Sequence, residues 1–577
     1  MKKLWTYFSS YKKECVLGPL FKLLEASFEL FIPLLVKQII DIGIPAGDEA
    51  YILQRMLLMG ALAFIGMVCS LTAQFFSARA AVGFSAKVKA AVFSHVQKLS
   101  YRELDSLGTS ALITRLSSDI NTLQGGVNMS LRLLLRSPFI VAGAVLMAFT
   151  IDFRSALLFV LTVFLLSVVV FGIMRITVPM HRQVQNRLDK VTADTRANLN
   201  GVRVIRAFGL EKTEEEHFRG ENDRLVHIQI LAGRISALLN PVTFVLINLG
   251  LILLIREGAL AVDSGRLSRG AVVALINYMS QILVELIKLA NLIVQLSRAL
   301  ACGGRISAVL ETESSMREGE ADPARKGGGE SLELKDISFR YADGAEDALR
   351  HISLRLEPGE TLGIIGGTGS GKSSLVNLIP RFHDVTEGAV LVNGTDVKDY
   401  TFSSLRGRIA IVPQKSVLFS GTLRENLCWG KKDATEEELC DALRRAQAYD
   451  FVMEKEDGLD CSVSKGGTNF SGGQRQRLAI ARALVRHPAI LILDDSASAL
   501  DYATDAALRS SIHSLPDRPT TVIVSQRTAS VMRADRILVL ENGEAAGLGS
   551  HEELMKDCPV YREIYLSQFG GEEDAEQ

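Results

Sequence analysis

Cysteine is scarce and unpatterned. Cys15, Cys69, Cys302, Cys428, Cys440, Cys461 and Cys558 include no C-x-x-C and no His-paired spacing. That excludes a disulfide framework or a zinc site as the organising device and leaves reduced, buried thiols as the expectation. Charge of one sign is missing as well. Sixty-four Lys and Arg against 65 Asp and Glu leave a net charge of -1, so no global basic field recruits nucleic acid or acidic lipid. Charged residues make up only 22% of the 577 against 48% hydrophobic, which excludes a disordered or fibrous chain. With a mean hydropathy of +0.20, the balance is unusual for a wholly soluble protein, and partners must be read from local chemistry.

What is abundant is long apolar sequence in the first half. Six stretches, Val16 to Ile44, Ile52 to Val82, Leu133 to Ile151, Ala156 to Ile176, Leu238 to Ile255 and Ala271 to Leu296, can each cover a hydrocarbon layer of about 30 Å. Lys22, Glu25 and Glu29 interrupt the first, and Glu285 and Lys288 the sixth. Ionisable groups at such depth must face a cavity or pair with each other. The segments Arg79 to Arg136 and Arg175 to Arg234 carry eight and eleven Lys and Arg, whereas Pro45 to Tyr51 carries none. Positive charge stays on the cytoplasmic side, so an even number of spans leaves both termini there. The two basic segments keep helical periodicity and read as cytoplasmic helices. Leu4, Trp5, Tyr7, Phe8 and Tyr11 among Lys2, Lys3, Lys12 and Lys13 suit an amphipathic helix in the interface, not a cleaved signal peptide.

From Glu318 to Glu330 the composition turns to Gly, Glu, Asp and Lys, a linker. Beyond it, strand-like runs Thr361 to Ile365, Ile409 to Val412, Ile490 to Leu493 and Thr521 to Val524 alternate with helical segments, the pattern of an α/β domain with a largely parallel sheet. The first run enters Gly366-Gly367-Thr368-Gly369-Ser370-Gly371-Lys372-Ser373, which satisfies G-x-x-x-x-G-K-[ST]. The glycines let backbone N–H groups curl round a phosphate, Lys372 neutralises the β and γ oxygens and Ser373 ligates Mg²⁺, with Ser374 beside it in the nucleotide site. Ile490-Leu491-Ile492-Leu493 ends in Asp494-Asp495, which puts Asp494 at the strand edge as a second Mg²⁺ ligand.

Phe470-Ser471-Gly472-Gly473-Gln474 is close to L-S-G-G-Q, and here the chain resembles an ATP-binding cassette (ABC) protein. Tyr341, Gln414 in Val412-Pro413-Gln414, and Ser498-Ala499-Leu500-Asp501 match other marks of that family. Six spans and one cassette resemble an exporter half-transporter, and Leu112 to Asp119 and Gly201 to Phe208 resemble its intracellular-loop motifs. The resemblance implies an all-α six-helix transmembrane domain and an α/β P-loop NTPase domain. Its divisions are an interfacial helix (1–14), a transmembrane domain (15–317), a linker (318–330), a cassette (331–569) and an acidic tail (570–577). It further implies that Tyr341 stacks on adenine, that Gln414 senses metal and the attacking water, and that Asp501 belongs to the nucleotide contacts. Phe470 to Gln474 then close on the ATP of an opposing subunit.

Two departures stand out. The family usually has Glu as general base after the Mg²⁺ aspartate, and this chain has Asp495, whose carboxylate stops something over ~1 Å short. Where the family has a His on the γ-phosphate, the chain has Gln526, which cannot carry positive charge. Ser464-Lys465-Gly466-Gly467 also lacks the acidic residue the family tends to place before the signature. These features imply weak hydrolysis at the chain's own site and an ATP-driven exporter of a bacterial plasma membrane, moving an amphipathic drug-like, lipid or peptide substrate. A heterodimer fits better than a homodimer, although both stay open, as does an ATP-gated channel or regulatory subunit that does not pump.

Overall fold

Unbroken runs of branched aliphatic residues are stable as strands only when both faces are covered, and the second half of the chain builds the layers that do this. The computed structural model describes residues 2–325, 327–341, 344, 346–496 and 499–569. The chain forms two compact units, Met1–Gln97 with Gly108–Thr312, and Lys98–Leu107 with Glu313–Gln577. Ser498 and the tail 570–577 lie outside the described residues.

The second unit holds a six-stranded sheet in the order Glu544–Gly549, Arg536–Glu541, Thr361–Gly366, Thr520–Val524, Ile490–Asp494, Ile409–Val412. Every pairing is parallel except that of Glu544–Gly549 with Arg536–Glu541. All four strands read from the sequence are present, with ends shifted by a residue at most. Alternation divides the core: Ile490 and Ile492 pack on one face with Val522 and Leu375, while Leu491 and Leu493 face Leu478 and Ile480 on the other. A four-stranded antiparallel sheet, ordered Leu349–Leu356, Leu332–Phe339, Glu387–Val392, Thr395–Asp396, lies beside it. The stretch read as a linker is seated on this unit: Gly319 N donates to Tyr400 O at 3.1 Å, and Arg408 holds Glu330 and Pro323 O. Helix Tyr101–Leu107 belongs here as well, with the Tyr101 ring 4.8 Å from Phe382.

The first unit is helical. Glu49–Val96 and Phe153–Asn200 each run for 48 residues, about 72 Å at 1.5 Å per residue, so they extend well beyond a hydrocarbon layer. The basic segments are helical, as their periodicity predicts. Among the described residues, five helices are long and apolar enough to cross a membrane. The first expected span, here helix Lys12–Gln38, has the length but is not among the five, because its charges dilute its hydropathy. Those charges are paired. Lys22 donates to Glu25 at 2.5 Å, and Arg136 binds Glu29 at 2.7 Å and Glu285 at 2.6 Å. Lys288 and Ser137 complete the set on Glu285, at 2.9 and 2.8 Å. The alternative of pairing, and not isolated exposure to a cavity, is therefore realised for Glu29 and Glu285, through an Arg136 that the sequence pattern did not single out. At the N-terminus Phe8 stacks on Phe84 with centroids 4.0 Å apart. The seven cysteines are free, and four of them are buried.

Removing one partner of a buried ion cluster leaves the others uncompensated, at a cost of about 3–5 kcal/mol. Arg136→Ala should therefore lower the melting temperature of the detergent-purified protein sharply, whereas Arg136→Met combined with Glu285→Gln should be much milder. Equal losses in thermal unfolding scans would show that the cluster is not the source of stability.

Candidate functional site

The turn from strand Thr361–Gly366 to helix Lys372–Leu378 is possible because of glycine at two places. A Cβ on Gly366 would stand 2.1 Å from Leu540 O, and Gly371, at φ +95°, would press its Cβ to 2.7 Å from Leu349. No L side chain fits either position without displacing the neighbouring strand. The loop wraps the Lys372 ammonium, which donates to Gly366 O at 2.9 Å, Gly367 O at 2.6 Å and Ser370 Oγ at 3.3 Å. Burial pushes the Lys372 pKa down, and Asp495 and Asp494 oppose it.

The parallel sheet brings the remaining groups to the same edge. Asp494 ends its strand with Ser373 Oγ donating to Oδ1 at 3.3 Å. Burial raises the Asp494 carboxyl above its usual range, the neighbouring Asp495 adds to this, and Ser373 and Lys372 work against it. Asp495 turns out of the sheet with φ +46°, its N–H donating to Val524 O at 3.0 Å and its Oδ2 accepting from Gln414 Nε2 at 3.0 Å. Tyr341 is 47% exposed, so its ring face is available. Its hydroxyl meets Ser374 Oγ at 2.8 Å, and it packs edge-on against Phe339 and His383 at 4.8 and 5.4 Å.

These residues line a cavity of about 340 Å³ that includes Tyr341, Thr368 to Ser374, Gln414, Asp494, Asp495 and Gln526. Gly366 and Gly367 are not among the residues that line it and reach it only through Lys372, which their carbonyls hold. Phe470 to Gln474 and Asp501 do not line it. Phe470 is buried in the helical core. Ser471 caps helix Gly472–Leu484, its Oγ accepting from Gln474 N at 3.2 Å while Gln474 Oε1 accepts from Ser471 N at 2.9 Å. Asp501 caps Tyr502–His513 by accepting from Thr504 N at 2.8 Å. Sequence reasoning missed His383, which supports Tyr341 from below, because nothing in Phe382-His383-Asp384 marks a site.

A glycine cradle that a Cβ would fill, a buried cation inside it and the oxygen donors of Ser373, Asp494 and Gln414 fit a polyphosphate with a hard divalent ion. Residues 15–286 match the ABC transporter transmembrane region, and residues 349–498 match the ABC transporter family. A Bacillus subtilis protein described as an uncharacterized ABC transporter ATP-binding protein is 36% identical over 572 residues, which cover 99% of each chain. The chain belongs to the ABC transporter family. A putative multidrug export ATP-binding/permease protein of B. subtilis is 30% identical to this transporter over 98% of this chain and 99% of its own. The solved structure of a bacterial Atm1-family ABC exporter with ATP bound superposes with a TM-score of 0.81 at 23% identity, covering 97% of this chain and 98% of that one, which establishes the fold. This ABC transporter is an exporter-type half-transporter, a helical transmembrane domain fused to an ATPase domain. It is a multi-pass membrane protein that binds ATP, couples hydrolysis to transport and acts as a dimer.

A hydrogen bond to a charged partner contributes about 1.5–3 kcal/mol, so Lys372→Ala should weaken ATP binding at this cassette by about 10- to 150-fold. A fluorescent ATP analogue titrated against the purified protein reads the change directly.

Proposed function

We propose that this half-transporter exports its substrate from the cytoplasm of a bacterial cell by alternating access, as one half of a heterodimer. In this reading Tyr341 stacks on adenine, Gly366 to Ser374 cradle the phosphates, and Lys372 gives up loop carbonyls for β and γ oxygens. Ser373, Asp494 and Gln414 hold Mg²⁺, which when bound neutralises phosphate charge. Helix Lys12–Gln38 serves as the first of the six spans, its charges neutralised by the pairs around Arg136, with both termini and the cassette in the cytoplasm.

The observation that carries the heterodimer is the contrast within one chain. The phosphate loop and signature are intact, but the base position holds Asp495 and the switch position Gln526. Asp495 is engaged by Gln414 at 3.0 Å, close to its own strand edge, which suits a group too short to reach an attacking water. The signature helix, capped by Ser471 and Gln474 and buried along most of its length, leaves its first residues Ser471 and Gly472 exposed, where a second cassette supplies the ATP. Short helix Val202–Ala207 likewise leaves Val204 and Phe208 exposed, at 59% and 75%, a surface for the opposing subunit. Amphipathic drug-like molecules, lipids and peptides fit the apolar membrane domain.

The purified chain alone should hydrolyse ATP slowly, and co-expression with a partner that carries Glu and His at the two positions should restore turnover. Full activity of a verified homodimer would refute the heterodimer reading. Within the heterodimer, Ser471→Ala should abolish turnover, and Lys372→Ala should be milder. Asp495→Asn should change ATPase little, whereas Glu→Gln at the partner's base should lower it by about 10²-fold or more, the scale of general-base loss. Comparable collapse from Asp495→Asn in a per-site turnover assay would make Asp495 a working base.

A further inference from the structure

The loop that carries Gln526 is held from behind by helix Pro559–Phe569. Gln568 Nε2 donates to Gln526 O at 2.8 Å, and Gln568 Oε1 accepts from Thr528 N at 2.8 Å. One side-chain amide thus brackets Arg527 with a donor and an acceptor, the pairing a neighbouring strand would supply. Its orientation is dictated, because the reversed amide would set oxygen against oxygen and N–H against N–H.

The helix that delivers Gln568 is itself anchored. Tyr561 is fully buried with Ile365, Val539, Leu554 and Cys558, and its hydroxyl meets His551 Nδ1 at 2.8 Å. Ile365 belongs to strand Thr361–Gly366, which leads into the phosphate loop, so helix and loop share one floor. On its other side the segment is tied to the same strand, with Ser525 N donating to Ile364 O at 3.1 Å. Arg527 N then donates to Ser525 Oγ at 3.0 Å. Gln526 itself stays exposed and lines the nucleotide cavity. Its height above the phosphate loop is therefore set by two ties, Ser525 to the strand and Gln568 to the helix.

We propose that Gln568 is a positioning residue for the nucleotide site, its amide fixing how far Gln526 stands from the phosphate loop, so that the last described helix is a handle on ATP turnover. The proposal rests on Gln526 being the contact to the γ-phosphate. Gln568 itself is exposed, whereas the Thr528 it caps is fully buried, so losing the bond has a local cost that is small against the stability of a 577-residue chain. Its influence is local, acting through the residue it holds.

The test uses the full chain in lipid nanodiscs, measuring its slow ATPase, its KM for ATP and its melting temperature. Gln568→Leu keeps the bulk and removes both bonds. It should lower kcat about tenfold, leave KM within about twofold and move the melting temperature by no more than about 2 °C. Gln568→Asn, which keeps the amide on a shorter stem, should fall between. Gln526→Ala should lower kcat at least as far, and the double variant should be no slower than Gln526→Ala alone, because both act by one route. If Gln526→Ala lowers kcat and Gln568→Leu does not, the positioning role is wrong. It is equally wrong if the losses multiply, or if KM rises and the melting temperature falls together with kcat. A silent Gln526→Ala would instead remove the reading of Gln526 on which the proposal stands.

Discussion

The nucleotide site depends on the register of one strand. Thr520–Val524 runs parallel to both Thr361–Gly366 and Ile490–Asp494, with Val524 opposite Ile364 on one side and Asp494 on the other. This alignment makes three strands end at one level, so that the phosphate loop, the acidic pair and the Gln526 loop leave the sheet together. Because side chains alternate, a slip of a single residue would carry the Asp494 carboxylate to the opposite face. The fully buried aliphatic runs forbid that slip, since it would also exchange the two packed faces of the core. The positions of catalytic candidates are thus fixed by Ile, Leu and Val residues that never meet a ligand.

Charge is handled differently in the helical unit. The polar side chains of Glu29, Arg136, Glu285 and Lys288 sum to zero, and the guanidinium fork of Arg136 reaches two carboxylates at once. A planar fork meets this geometry where a lysine would not. A second clamp of the same kind joins Arg305 to Asp119 through two bonds of 2.8 and 2.6 Å, locking the π-helical segment Arg115–Asp119 to helix Arg269–Glu311. Long apolar helices slide past one another easily, and such directional pairs set their rotation.

How much could be read in advance follows from the range of the interactions involved. The phosphate loop was legible because its chemistry forces glycine at close spacing, and the strands were legible because burial on both faces forces aliphatic runs. The pairing of Glu285 was not, because Arg136 lies 149 residues away in sequence and counted there only as the last positive charge of a basic segment. The capping box of Ser471 and Gln474 was hidden behind the family signature, although S-x-x-Q at a helix start is a local signal. The seated segment 318–330 looked like a tether because composition reports flexibility in isolation and says nothing about the backbone carbonyls and arginines waiting to bind it. His383 and Gln568 carry no mark in the sequence because their contacts, with Tyr341 and with the Gln526 loop, are made only by the fold.

The left-handed backbone at residue 495, φ +46°, has a consequence for which side chain the turn can carry. Asp and Asn enter that conformation several-fold more readily than most residues, because a short polar side chain can bond locally where a longer one gains nothing. A glutamate placed at 495 would have to keep a backbone that favours the shorter residue, and its longer stem would carry the carboxylate past the amide of Gln414. Backbone and neighbour together hold the carboxylate close to the strand that ends in Asp494, so the length of this one side chain is matched to the turn that bears it.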